Sequence, residues 1–426
     1  MNKRKLVLTS GVANTFEWYD YALFGHFAPI IGQKFFPDND PSIALLQVLL
    51  VFAVGYLMRP MGGIFFGIIG DKWGRKTSLS LAIMCMAIPT AAIGFLPTYQ
   101  TLGISSTVAM IIFRMLQGLS MGGALTGSIS YIIEHTEKNK RGLYGSIPML
   151  SICLGIMFGS LASFCVKNIF SAEQFNLWAW RLPFIIGILV FFVGIYIKNN
   201  TKETPLFEET KYRGEVVKSP LNTLVRKHWR DILISILINA TGSIIFYVEA
   251  IYLVSYLRIS RGFPESNVEI LINFCYVIMI LVTLFAGWLS DKIGRRKIFF
   301  FNLIFIIVAS PFIFRIFESA SFGYVIIAQI VIAIMAALYI GPEPALQAEF
   351  YPTEIRNTAL SVSYNIATSV FGGTAPYIIE LLVQNTGGIT SSVYYIVAAA
   401  FVSLFALYFY KDRSVDDYKV HIDPEN

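Results

Sequence analysis

Residues 67–76 read Gly-Ile-Ile-Gly-Asp-Lys-Trp-Gly-Arg-Lys, and residues 287–296 read Gly-Trp-Leu-Ser-Asp-Lys-Ile-Gly-Arg-Arg. Each closes a long apolar run, and another such run follows it. A second mark returns in the same order: Glu134 and Arg141 stand seven apart, as do Glu349 and Arg356. The two marks recur at offsets of 220 and 215 residues, so the chain holds two related units in tandem.

What those units are follows from the solvent they suit. Of the 426 residues, 55% are apolar and only 14% charged, against roughly a quarter charged in a soluble protein. Too little polar surface is available for water, and the apolar runs are unbroken rather than alternating as in barrel strands. A spanning helix needs about 20 apolar residues, so this length holds about a dozen. Spans are predicted near 6–32, 44–69, 78–96, 105–133, 143–166 and 179–197, then near 231–256, 269–289, 298–316, 322–348, 358–383 and 390–410. The expected fold is an all-α polytopic membrane protein, twelve helices in two pseudo-symmetric six-helix bundles. Residues 1–197 form the N-terminal bundle, 198–230 a cytoplasmic linker, 231–410 the C-terminal bundle and 411–426 a short cytoplasmic tail.

The net charge of +6 is unevenly placed. Alternate loops and both ends collect 25 Lys and Arg, and the opposite loops only five. Such bias orients a protein with its basic side in the cytoplasm, and removes any need to invoke nucleic acid. Both termini are therefore expected inside a plasma membrane, the inner one in a Gram-negative cell. Lys3, Arg4 and Lys5 precede a segment carrying Glu17 and Asp20 and no small-residue cleavage site, so it reads as the first span rather than a leader. The four cysteines and four histidines show no metal-site spacing. Neither a Ser-His constellation nor a phosphate loop is present. The chain is not expected to be an enzyme, and no cofactor or metal is expected.

The repeated loops have a physical logic. Gly67 permits close helix approach, and Gly74 (Gly294 in the second copy) suits a very short turn. Asp71 at a helix end can pair with Arg75 or face the N-terminus of a neighbouring helix, as Asp291 can with Arg295. Together with Glu134, Arg141, Glu349 and Arg356 these residues are candidates for a charged latch that holds one arrangement and breaks in another.

Glu17 lies about 16 Å into the first span, with Asp20 one turn on; Arg59 and Arg114 lie about mid-span in the second and fourth. Each such charge costs about 2.5–3.5 kcal/mol at the bilayer centre, so they face inward and seek partners. A carboxylate that gains and loses an arginine partner can load and release a proton. Glu17, Asp20, Arg59 and Arg114 are thus the proton-coupling candidates. Trp18, Tyr19, Gln117, Tyr247, Asn239 and Asn365 are candidates for the cavity wall, and Tyr364 and Asn273 stand behind them. Glu343, between two prolines, reads as a kink near the basic end of its span; Glu249 and Glu380 read as meeting water at the other end.

At this point the chain resembles the major facilitator superfamily, in which such a loop joins helices two and three and recurs between eight and nine. Glu17-Trp18-Tyr19-Asp20, Arg59-Pro60-Met61-Gly62-Gly63, Arg114-Met115-Leu116-Gln117-Gly118, Trp180-Arg181-Leu182-Pro183-Phe184, Glu203-Thr204-Pro205 and Tyr351-Pro352-Thr353-Glu354-Ile355-Arg356 look like its metabolite:proton symporter branch. Among known members the chain is most similar to the proline/betaine transporters. The resemblance runs from residue 11 to about 366. It implies a rocker-switch fold and proton-coupled symport of a small polar metabolite, with H+ as driving ion. Two departures stand out: Ala124 follows the paired glycines where an acid is common, and the tail carries no heptads, so osmosensing is not carried over.

The expected function is alternating-access symport of a proline- or betaine-like zwitterion by a monomer in the lipid bilayer. Competing expectations are an organic-acid (dicarboxylate) proton symporter, a proton-independent uniporter or exchanger, and a transporter-like membrane sensor.

Overall fold

The computed structural model describes residues 3–36, 47–48, 50–51, 54–319 and 321–411. The described chain is helical and contains no strand. Its spans are α1 Lys3–Phe35, α2 Arg59–Trp73, α3 Arg75–Phe95, α4 Ile104–Glu134, α5 Arg141–Ile169 and α6 Ala179–Asn200. They continue as α7 Trp229–Ser260, α8 Glu265–Ile293, α9 Arg295–Ser319, α10 Phe322–Phe350, α11 Thr353–Thr386 and α12 Ile389–Tyr408. Ten are long and apolar enough to cross a bilayer by length and composition alone. The exceptions, α1 and α2, carry Glu17, Asp20 and Arg59 and complete the twelve. Two short helices, Pro205–Tyr212 and Pro220–Lys227, lie between α6 and α7.

Small residues set the tightest helix spacing inside the N-terminal half. A Cβ on Gly118 would lie 1.7 Å from the Gly55 carbonyl oxygen, and one on Gly122 2.1 Å from that of Arg59. No larger residue fits, so α2 and α4 touch backbone to backbone. The paired-glycine stretch of α4 is thereby explained by packing. Ala124, directly after it, is buried against Phe66, Ile69 and Ala82.

The two halves meet along two equivalent seams, α2 against α11 and α5 against α8. The loop-motif glycines make them possible: a Cβ on Gly67 would sit 2.8 Å from the Thr358 Cα, and one on Gly287 2.5 Å from the Gly142 carbonyl oxygen. Gly74 and Gly294 turn the chain at φ +103° and +97°, a region that strains other residues.

The later spans are less regular. Helix α7 contains two π-helical segments, Val248–Tyr252 and Tyr256–Ser260, and α11 contains a third, Thr368–Gly372. Helix α10 breaks at Gly341-Pro342, where the proline lacks a backbone donor.

Candidate functional site

The basic face is shut. Asp71 accepts hydrogen bonds from the backbone N–H of Asn357 (3.1 Å) and Thr358 (2.8 Å), in the first helical turn after Ile355. Asp291 does the same at the start of α5, from Gly142 (2.8 Å) and Leu143 (2.9 Å). Each carboxylate meets the positive end of a helix belonging to the other half. Both roles read from the sequence are realised together, because Arg75 also pairs with Asp71 (3.3 Å) and Arg295 with Asp291 (2.6 Å).

The glutamates complete the latch. Arg75 Nε donates to Glu134 (3.1 Å), and Arg356 reaches the same carboxylate at 3.4 Å across the seam. Glu349 accepts from Arg295 at 3.2 Å, and Arg141 Nε donates to the Thr136 carbonyl at 3.4 Å. Glu134 is thus bridged by arginines from two other elements. Thr204, which donates to Glu134 (2.6 Å), and Glu203, which accepts from the Lys76 N–H (3.1 Å), stood in the sequence only as part of a family motif without a role. Glu203 occupies the space a side chain at Gly74 would need. Burial pushes its carboxyl above the usual range.

At the opposite end the halves part around a cavity of about 440 Å³, walled by Trp18, Tyr21, Tyr247, Arg258, Glu269 and Tyr276 among others. Arg258 is held there by Glu265 (3.2 Å) and Glu269 (3.1 Å). A smaller pocket lies deeper, between Trp18, Tyr247, Glu343 and Tyr364. Trp18 and Tyr247 belong to both walls, so they divide the open vestibule from its closed floor. Tyr247 also meets Tyr56 hydroxyl to hydroxyl, joining α7 to the turn before α2.

The four intramembrane charges form two unlike pairs. Asp20 accepts from Arg114 (3.1 Å) and from Gln117 Nε2 (2.9 Å); Gln117 also accepts from Arg114 (2.7 Å) and bonds Thr90 (2.7 Å). Arg114 lies over the Phe24 ring at 3.9 Å. Glu17 and Arg59 are equally buried, at 1% and 0% exposure, yet Glu17 Oε1 and Oε2 and all three guanidinium nitrogens of Arg59 lack a hydrogen-bond partner among the described residues. Arg59 stands 4.9 Å from the Tyr56 ring centre and feels Glu17, Tyr247 and Tyr364 electrostatically.

The cavity-wall candidates divide likewise. Trp18, Tyr247, Tyr364 and Asn273 line cavities. Tyr19 instead donates to the Pro183 carbonyl (3.1 Å), packing α1 on α6. Gln117 is consumed by the Asp20 network. Asn365 donates to the Gly122 carbonyl (2.7 Å), at the seam between α11 and α4. Asn239 is buried with neither amide atom bonded, and lines neither pocket. Hydropathy places these residues in depth but not in azimuth, and azimuth decides which of them see the cavity. Tyr56 and Tyr21 were missed, although Tyr56 is one turn from Arg59 and Tyr21 one turn from Glu17. Glu343 faces the deep pocket rather than only marking a kink. Glu380 is exposed as expected, but Glu249 is fully buried.

Comparison with known proteins agrees with this architecture. The proline/betaine transporter of Escherichia coli is 30% identical over 94% of this chain and 82% of its own length. The glycine betaine/proline/ectoine/pipecolic acid transporter OusA of Dickeya dadantii is 28% identical over 96% and 84%. Among solved structures, that of the proton:xylose symporter XylE superimposes with a TM-score of 0.81 at 16% identity, covering 96% of this chain and 95% of that one. The model of the Major Facilitator Superfamily matches residues 11–316 and 243–423. The chain belongs to the Major Facilitator Superfamily, and it is a multi-pass membrane transporter of a small molecule.

Proposed function

We propose that the protein is a proton-coupled symporter of a small zwitterion of the proline or betaine kind. The observation that carries this reading is the Glu17–Arg59 pair, two buried opposite charges without hydrogen-bond partners among the described residues; neither lines either cavity, but Trp18 and Tyr21, next to Glu17 on α1, do. An arginine in that condition suits a carboxylate, which it can bind through two parallel bonds. The rings of Trp18 and Tyr247 suit the cationic nitrogen of the same solute, through cation–π attraction. The names of the two relatives above point to the same solute class.

Glu17 is the proton carrier in this scheme. An ionised carboxylate without a partner in a low-dielectric interior costs several kcal/mol, and a proton removes that cost. When the solute carboxylate engages Arg59, Glu17 loses the only cation it feels and holds its proton more firmly. The loaded transporter then closes above the solute, while the latches on the basic face release. With that face in the cytoplasm, as the distribution of Lys and Arg supports, the cycle imports solute with H+. Each chain contains a whole path, so a monomer suffices, and the scheme needs no cofactor.

A dicarboxylate would need a second cation near Arg59. Arg114 is bonded to Asp20, and Arg258 to Glu265 and Glu269, which favours the zwitterion. The test is uptake into proteoliposomes of labelled proline, glycine betaine and succinate, with and without an imposed pH gradient. Accumulation of the zwitterions that collapses with the gradient is expected. Succinate uptake alone would replace the substrate assignment, and gradient-independent flux would leave a uniporter or exchanger. Absence of flux for any solute would leave the sensor.

A further inference from the structure

A third carboxylate in the membrane region, Glu249 of α7, stands outside the latches and the Glu17–Arg59 pair. It is 0% exposed, and neither of its oxygens has a hydrogen-bond partner among the described residues. The groups that face it come from every element around it. They are Cys153 of α5, Cys275 and Tyr276 of α8 and Gln329 of α10. Glu380 of α11 is bonded to Tyr252, in the same turn as Glu249 (3.1 Å). No lysine or arginine is among the groups acting on it. Gln329, the amide that acts on it, is itself buried, and its amide atoms complete no hydrogen bond of normal geometry among the described residues.

Its backbone setting is equally unusual. Glu249 lies in the π-helical segment Val248–Tyr252, whose closing bond runs from the Leu253 N–H to the Val248 carbonyl. A π-turn is a widened, poorly stacked turn that shifts register readily and is commonly found at working sites. The adjoining residues Ala250 and Ile251 line the cavity, and so does Tyr276, which also faces Glu249. Tyr276 thus links this carboxyl to the vestibule.

A buried carboxylate that no cation offsets and that only the Gln329 amide approaches is untenable as an ion in such surroundings, and a change of register in the π-turn would carry it past Tyr276 towards water. We propose that Glu249 is a second proton-binding site, neutral in the arrangement seen here and deprotonated when α7 rearranges. The transporter then moves two protons per solute, one on Glu17 and one on Glu249, with Tyr276 as the gate between Glu249 and the cavity. This proposal rests on the symport reading above, and the test separates the two.

The measurement is steady-state accumulation of labelled proline in proteoliposomes, at clamped zero membrane potential, across a one-unit pH step. Two coupled protons give about 100-fold accumulation and one gives about 10-fold. Wild type is expected near 100-fold and Glu249→Gln near 10-fold, since glutamine matches the neutral acid in shape but carries no proton. Glu249→Asp, which keeps an acid, is expected to retain the steeper dependence at a lower rate. An infrared band of a protonated carboxylic acid in the solute-free protein should disappear in Glu249→Gln. Wild-type accumulation near 10-fold, or an unchanged slope in Glu249→Gln, overturns this proposal and leaves symport standing. Wild-type accumulation indifferent to pH removes both.

Discussion

Glu17 and Asp20 stand three positions apart on one helix, yet the two acids live under opposite conditions. Asp20 has its arginine in hand, a glutamine braced against both and a threonine behind the glutamine. Glu17 has an arginine within electrostatic reach and no bond to it. A buried ion pair with its donors satisfied holds helices in register and resists change. A buried pair left open has bonding capacity for something that is not always present. The first pair therefore suits the scaffold, and the second is the place proposed for solute and proton.

The sharpest way to break this contrast is Arg59→Gln. Uptake is expected to fall at least about 100-fold, the size of losing a charged hydrogen-bonding contact in a buried site, while the protein elutes as a folded species on gel filtration. Glu17→Gln should leave solute binding and solute exchange largely intact but cut accumulation across a one-unit pH step from about 100-fold to the roughly 10-fold that one remaining proton drives, read as internal over external label. Accumulation kept at the wild-type level would move that proton elsewhere.

Asp20→Asn tests the other side. It should strand part of the Arg114 charge and lower stability by about 3–5 kcal/mol, seen as a fall in melting temperature. The double change Asp20→Asn with Arg114→Gln should recover much of that loss, whereas no such rescue is expected for Glu17 with Arg59. A smaller effect is expected at the basic face. Asp71→Asn keeps an acceptor for the Asn357 and Thr358 amides but loses the charge, so cysteine labelling of that face should rise a few-fold while binding persists.

The smallest effect concerns Glu203, whose carboxyl is raised by burial. A raised acid binds its proton more readily when folded, so its contribution to stability improves as pH falls through the folded value towards the unfolded one. Glu203→Gln should flatten that portion of the melting-temperature profile and leave the rest unchanged.

Twelve spans, two related halves and the latch residues were legible because hydropathy runs and repeated spacings are one-dimensional signals. The partners inside the latch were not. Glu134 was legible only as a repeat mark, whereas it is shared by Arg75 and Arg356, which arrive from distant parts of the chain. The depth of Glu17, Asp20, Arg59 and Arg114 could be read, and so could the need for partners. Which acid took which arginine depended on rotations of α1, α2 and α4 set by glycine contacts such as Gly118 on Gly55. Tyr19, Gln117 and Asn365 share the polarity of a cavity lining but spend it on neighbouring helices. Glu249 was misjudged because a π-turn, which has no plain signature in residue order, turns it inward.

The two aspartates on the basic face grip main-chain amides, and this has a mechanical consequence. Their hold does not depend on the side chains at Asn357, Thr358, Gly142 or Leu143, so those positions can change while the grip persists. The clasps also fasten different seams, Asp71 that of α2 with α11 and Asp291 that of α5 with α8. A rotation that frees one while leaving the other fastened would shear the helix ends against each other. In the proposed cycle the two therefore let go together, opening a cleft on that side in a single all-or-none step.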